Sequence, residues 1–273
     1  SWGVVDGYYL DVAVDPDFNE ILPAYNGFNC GSNLSQAVTG LSPDLTYYYR
    51  LRAYKAILGD VGIWSNVGTA TLKSGPPPGN SVELDGVDDY VDVPDLDITT
   101  GEFTVEAWVN FNSLTSWVRI IDFGNGAGNN SIFFARSGVT NNVELRVNDG
   151  TTGNSIWSGS VLETGRWMHF AATVYNSGNA KIYKNGEEVA SGTLFAIPNV
   201  TRTSNYIGNS NWGDPTLHGK MDEVRIWNTS RSQAEIQAYM YDTVPSNNPN
   251  LLAYYHFDQD FGSVAADVSA QDK

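Results

Sequence analysis

Cysteine is almost missing from these 273 residues: Cys30 stands alone, so no disulfide can close within the chain and a small disulfide-stapled fold is excluded. No run of about 18 apolar residues occurs, so the sequence holds no candidate membrane-spanning helix. Cations are scarce, with Lys plus Arg at 15 against Asp plus Glu at 31, a formal net charge of −16. A surface of that sign repels DNA, RNA and anionic lipid, which argues against nucleic-acid partners and membrane insertion. It suits a protein that stays soluble outside a cell, or one that collects divalent cations. The histidines, His169, His218 and His256, are scattered without metal-ligand spacing, and no nucleophile elbow or phosphate loop is present. Long helical periodicity is also nearly absent.

What remains is β-structure. Short runs rich in Val, Ile, Tyr, Phe and Trp are separated by Gly, Asn, Asp, Ser and Pro. Gly7 to Val14, Thr46 to Tyr54, Glu102 to Phe111, Arg166 to Tyr175, Ala180 to Lys184 and Lys220 to Trp227 all read as strands, several with strict alternation. Regular turn signals between them predict an all-β protein of sandwich type. With hydrophobic residues at 41%, there is enough apolar side chain to fill such cores. Lys73-Ser74-Gly75-Pro76-Pro77-Pro78-Gly79-Asn80 marks a boundary, because consecutive prolines donate no ladder hydrogen bonds and favour a stiff, extended spacer. One helix is expected late, where Ser232 and Glu235 form a capping box ahead of Ile236, Tyr239 and Met240.

The stretch from Gly40 to Tyr54 resembles the corner between the fifth and sixth strands of fibronectin type III modules. Leu41, Pro43 and Tyr47 fall at the corner leucine, proline and tyrosine, and the tyrosine hydroxyl is expected to tie the corner to the main chain. Ser65 to Leu72 reads as that module's last strand. Residues 81–273 are similar to the laminin-G-like, concanavalin A-like jelly rolls. The resemblance is carried by Ser81 to Val93, Phe103 to Val109, Trp167 to Ala171, Lys181 to Gly186, Gly219 to Asn228 and Leu252 to Phe257, in that order. It implies a fibronectin type III module at 1–73 lacking its first strand, a Pro/Gly linker at 74–80, and a jelly roll at 81–273 lacking its closing strand. Such an arrangement is that of a segment from a larger secreted or surface protein, as in multidomain proteins of Bacteroidetes.

Several sets of residues could carry function. Calcium takes six to eight oxygen ligands; Asp85, Asp88 and Asp89 surround a glycine turn, and Asp222 with Glu223 opens a late strand. The resemblance implies a structural calcium, with Asp85 and Asp222 as carried-over ligands and Asp88 beside them. The alternative is that Asp88 and Asp89 cap a turn while Glu223 pairs with Arg225. Trp212 sits in Asn209-Ser210-Asn211-Trp212-Gly213-Asp214-Pro215, a loop too polar for a core, and Trp117 and Trp157 have similar surroundings. An exposed indole beside amide and carboxylate groups offers a sugar ring an apolar face and rim hydrogen bonds, which nominates Trp212, Asn211, Asp214, Trp157 and Trp117; loop anchoring is the other reading of each tryptophan. Trp108, Trp167 and Trp227 lie on strand faces opposite the aliphatic set and either line a groove or pack beneath loops and the helix.

Glu83, Asp85 and Asp88 approach the carboxylate pattern of retaining endoglucanases of this architecture, with Glu83 and Asp85 on one strand face. However, Gly86 interrupts the strand and the third position is Asp instead of Glu. Asp242-Thr243-Val244 fits a short bacterial O-glycosylation motif, with an unmodified loop as the alternative. The expectation is therefore a non-catalytic carbohydrate-binding segment stabilised by calcium, with an adhesion segment contacting proteins or surfaces as the alternative and a glycosidase behind both.

Overall fold

A computed structural model describes residues 4–42, 45–259 and 262–270. Pro43 of the corner motif, the opening Ser1-Trp2-Gly3 and the closing Gln271-Asp272-Lys273 lie outside the described residues. The chain divides into two compact units, Ser1–Ser74 and Gly75–Lys273.

In the first unit, β1 (Gly7–Ala13), β2 (Phe28–Gly31), β3 (Thr46–Lys55), β4 (Asp60–Val61) and β5 (Gly68–Thr71) form an antiparallel sheet. Its order is β2-β1-β3, with β4 and β5 following one another along the far edge of β3. Alternation splits β3 cleanly. Tyr47 faces a small core with Leu10, Val12, Tyr25 and Cys30, and its hydroxyl accepts the Ser42 amide at 2.8 Å, the corner tie expected of it. On the opposite face the Arg50 guanidinium lies 4.0 Å from the Phe18 ring and 4.4 Å from Trp64, and Arg52 lies 4.3 Å from Trp64. Arg50 also donates to Asp11 at 2.8 Å. The described residues of this unit form one sheet, where a complete fibronectin-type sandwich has two.

The second unit is a sandwich. One sheet has six strands in the order β13-β12-β11-β10-β18-β7. These are β7 (Val91–Val93), β10 (Arg119–Gly124), β11 (Ile132–Arg136), β12 (Asn142–Asn148), β13 (Gly153–Ser160) and β18 (Ser204–Ile207). The other has seven strands in the order β16-β15-β14-β9-β19-β20, with β6 also on β19. Its members are β6 (Val82–Asp85), β9 (Phe103–Phe111), β14 (Met168–Val174), β15 (Asn179–Lys184), β16 (Glu187–Thr193), β19 (His218–Trp227) and β20 (Leu251–Tyr255). A small ribbon, β8 (Leu96–Asp97) with β17 (Thr201–Arg202), stands apart. The inward-facing rows of both sheets share one core, and rings from opposite sheets meet edge to face: Phe103 on Phe123 at 6.4 Å and Phe134 on Phe170 at 6.2 Å.

The turn from β15 to β16 is Asn185-Gly186, both with positive φ, as a two-residue hairpin of this twist requires. The expected helix is α1 (Gln233–Tyr239), opened by the Ser232–Glu235 capping box. It covers the outer face of the seven-stranded sheet. Helix ends leave carbonyls without partners, and here the sheet supplies donors: Arg225 to Tyr239 and Asp242, and Trp108 Nε1 to Met240 at 2.6 Å. Trp108 and Trp227 are fully buried, so of their two readings the structure takes packing; Trp167 is half-buried.

Candidate functional site

Along the six-stranded sheet, Ile121, Phe123, Phe134, Leu145 and Val147 point into the core. Their neighbours Asp122, Phe133, Glu144 and Arg146 therefore face outward. The register sets Asp122 beside Phe133 and Phe133 beside Arg146, in a row across β10, β11 and β12. Two loops rise over this row. One precedes β10 and carries Trp117; the other, between β18 and β19, carries Trp212 and Asp214. Together they enclose a groove of about 420 Å³, bordered at its other end by Thr151, Thr152 and Gly153. That volume lies in the range of small-ligand sites.

Arg119 forms the floor. It is 2% exposed and donates to Asp122 at 3.2 Å, to Asp214 at 2.8 Å and to the Trp117 carbonyl at 2.6 Å. Its guanidinium lies 4.3 Å from the Phe133 ring and 5.4 Å from Trp212, so aromatic faces supply part of the environment that water would otherwise give it. Burial pushes the Asp122 carboxyl up from its ordinary range, against the pull of Asn211 and Arg119. Asp214 receives Ser210 Oγ at 2.9 Å as well as Arg119, both on Oδ2. Glu144 is likewise engaged, accepting Ser155 at 2.6 Å and Ser137 at 2.9 Å.

The walls are indole. Trp212 is 40% exposed and meets Phe133 edge to face at 5.5 Å. Trp117 is 37% exposed and holds φ at 60°, a region that bulky side chains avoid. Two hydrogen bonds keep it there: its amide donates to Gly138 at 3.1 Å and its carbonyl accepts Arg119.

The five sugar-site candidates thus fall into three groups. Trp117, Trp212 and Asp214 converge on the groove from segments almost a hundred residues apart in sequence. Trp157 pairs with Glu144 in the register and shares this outer face, more than half exposed, but does not border the groove. Asn211 holds the loop from below, with side-chain donors to Asp122 and to the Ser204 carbonyl at 3.1 Å. Sequence reasoning missed Arg119, Phe133 and Arg146. In sequence they are ordinary strand residues, and only the register reveals that they share a face with the tryptophans.

The metal candidates separate. Carboxylate oxygens of Asp85, Asp88 and Asp89 lie within 4.8 Å of one another, a hard-oxygen set whose charge fits calcium. The same groups tie their turn, since Asp85 accepts the Val87 amide at 2.8 Å and Asp89 accepts the Asp85 amide at 3.2 Å. Asp222 does not join them. Asp85 pairs with His218, and Asp222 lies four residues further along β19, roughly 13 Å away at strand rise. It is also buried, which raises its carboxyl to about 8. The expectation of an ion shared by Asp85 and Asp222 is corrected by the register: β6 does meet β19, but too far from Asp222. Glu223 pairs with Arg225 at 2.5 Å, as in its alternative reading.

Glu83 and Asp85 share the exposed face of β6, and Glu83 lies 3.8 Å from Lys220. The hydrogen bond from the Val87 amide, joined by those of Asp88 and Asp89, lowers the Asp85 carboxyl.

The sequence profile described as the concanavalin A-like lectin/glucanases superfamily matches residues 85–237. Among solved structures, a candidate carbohydrate-binding protein from Bacteroides ovatus is similar at 20% identity over 85% of this chain and 67% of that one, with a TM-score of 0.51. Domain 4 of AbnA, an extracellular arabinanase from Geobacillus stearothermophilus solved with arabinotriose, is similar at 24% identity over 61% of this chain and 86% of its own, with a TM-score of 0.46. The CBM40 of a Ruminococcus gnavus sialidase, bound to α2,3 sialyllactose, gives 13% identity over 59% and 96%, with a TM-score of 0.45. Among curated proteins none matches. At these identities the likeness is one of fold.

Proposed function

The chain belongs to the concanavalin A-like lectin/glucanases superfamily, and from that premise we propose that it is a non-catalytic glycan-binding segment of a larger secreted or cell-surface protein. The observation that carries the reading is the convergence of Trp117, Trp212 and Asp214 on one groove over Arg119 and Phe133. A pyranose offers an apolar ring face and a rim of hydroxyls; the groove answers with indole walls and with Asp214, whose Oδ1 is left over as an acceptor. Trp157 would extend the platform for a longer chain. Asn211 belongs to the scaffold of the loop in this reading.

The non-catalytic part rests on the carboxylates. A retaining glycosidase needs a protonated acid beside a nucleophile about 5–5.5 Å away. Asp85 is shifted the wrong way for a general acid, and both groove carboxylates, Asp214 and Glu144, are held by arginine or serine donors. Calcium, if taken up, would be held by Asp85, Asp88 and Asp89 and would stiffen the turn after β6. The first unit we read as a fibronectin type III layer serving as a spacer, on the strength of the Tyr47 corner. The acidic surface supports the extracellular assignment.

The test is retention on immobilised polysaccharides and a glycan array, with and without calcium, for wild type and Trp212→Ala. Retention that is lost in the variant while its melting temperature is kept supports the groove. Retention by neither protein on any glycan refutes the reading and leaves adhesion to proteins or surfaces.

A further inference from the structure

We propose that the groove selects a glycan bearing a single acidic group, a carboxylate or a sulfate ester, placed against Arg146; this rests on the glycan-binding reading above. The two arginines of the groove are in different states. Arg119 is buried and has two carboxylates at 3.2 and 2.8 Å, so its charge is already answered. Arg146 is about one third exposed, and its nearest carboxylate, Glu144, stands 4.0 Å away. Both oxygens of Glu144 already accept serine hydroxyls. Arg146 uses Nε on Asn148 at 3.0 Å and Nη1 on Ser155 at 3.4 Å, while Nη2 has no partner among the described residues. The Asn148 contact is itself anchored by Ser131 at 2.8 Å, so the guanidinium is held in place with one nitrogen over.

The spare charged group at this end of the groove is therefore the Arg146 guanidinium, with Nη2 as its free donor. Thr151 and Thr152 spend their amide and hydroxyl hydrogens on Asp149, so they offer the groove hydroxyl lone pairs but no charge. A neutral hydroxyl set there can hydrogen-bond but leaves the guanidinium charge unanswered. A carboxylate or sulfate accepts only, and its hydrogen bond to a guanidinium is charge-assisted. At the other end the spare group is an acceptor, Asp214 Oδ1, which suits a ring hydroxyl. The groove is thus polarised along its length, with an acid-binding end beside Phe133 and Gly153 and a hydroxyl-binding end between the tryptophans. The whole chain carries −16, which repels a densely charged polymer. One acidic group on an otherwise neutral glycan meets the local cation without the wider repulsion.

The experiment is an array that prints neutral oligosaccharides beside their terminal uronic-acid forms and their monosulfate esters, with polygalacturonate as the dense polyanion. Wild type, Arg146→Gln, Arg146→Lys and Trp212→Ala are compared, each checked for an unchanged melting temperature and far-UV circular dichroism. The expected result is a preference of about tenfold for the singly acidic member of a pair over its neutral form, the size of one charge-assisted hydrogen bond. Arg146→Gln should bring the acidic form down to the level of the neutral one, with a far larger loss for the acidic form than for the neutral, whereas Arg146→Lys keeps part of the preference. Uronate and sulfate arms show which acid is favoured. Equal binding of neutral and acidic forms by wild type overturns the inference while leaving glycan binding intact, as does an equal loss of both forms in Arg146→Gln or tighter binding of polygalacturonate than of singly acidic glycans. Binding to no printed glycan overturns the inference together with the function it rests on.

Discussion

Replacing Arg119 by methionine keeps much of the apolar stem and removes the guanidinium that reaches both Asp122 and Asp214. Asp122 has no exposed side-chain surface, and its remaining donors are the amide and side chain of Asn211. Breaking a buried ion pair from one side costs about 3–5 kcal/mol, because the other charge stays behind. Asp214 is a quarter exposed and can turn to water, so most of the loss comes from Asp122. For a unit of this size that corresponds to a fall of roughly 6–20 °C in melting temperature. Protonation limits the damage: the Asp122 carboxyl is already displaced upward, so the gap between wild type and variant should narrow as pH falls from 7 towards 4. Adding Asp122→Asn to Arg119→Met should recover part of the loss at pH 7. Urea titrations of the four proteins of this cycle at both pH values measure each quantity. A loss below about 1 kcal/mol for Arg119→Met, with no pH dependence, would mean that the floor is solvated and that the groove is not organised as described.

His169 is buried neutral, held down to about 3 by desolvation and by Arg225. Its stabilising contribution is present above the unfolded value near 6.5 and is lost as pH falls through the folded value, so wild type should lose stability relative to His169→Gln by up to about 1.4 kcal/mol per pH unit across that window; parallel curves would show that the imidazole is hydrated. Tyr47→Phe deletes the acceptor of the Ser42 amide and should cost about 1 kcal/mol in the first unit, read as a shift of its urea midpoint. Calcium at 100 times its dissociation constant should raise stability by about 2.7 kcal/mol, and Asp88→Asn should abolish that gain. A melting temperature indifferent to both calcium and chelator would assign the three acids to turn capping alone.

The strands were legible because their two-residue period survives in sequence: Phe103, Val105, Ala107, Val109 and Phe111 alternate there and are all buried. The helix start was legible from a local hydrogen-bond pattern, and Trp212 from a loop with too many polar neighbours to be core. Pairings across strands were not. That β6 meets β19 could be expected, but the offset that parts Asp85 from Asp222 is a property of register, which no single strand encodes. Arg146 was hidden for the same reason, since its meaning comes from Phe133 on one flanking strand and Ser155 on the other. Asn211 reads two ways in sequence because an amide in a polar loop serves equally well to grip a ligand or to anchor the loop, and its side-chain nitrogen is engaged with Asp122 and Ser204.

The left-handed backbone at Trp117 has a consequence for how this groove persists through mutation. Glycine would fit that conformation without strain, but it would also give up an indole that is only 37% exposed and packs beside Arg119. The two effects oppose one another in the fold, whereas at the groove the loss of an indole wall has no counterpart. Trp117→Gly is then a separation-of-function variant: its melting temperature should move little, while binding in the groove falls.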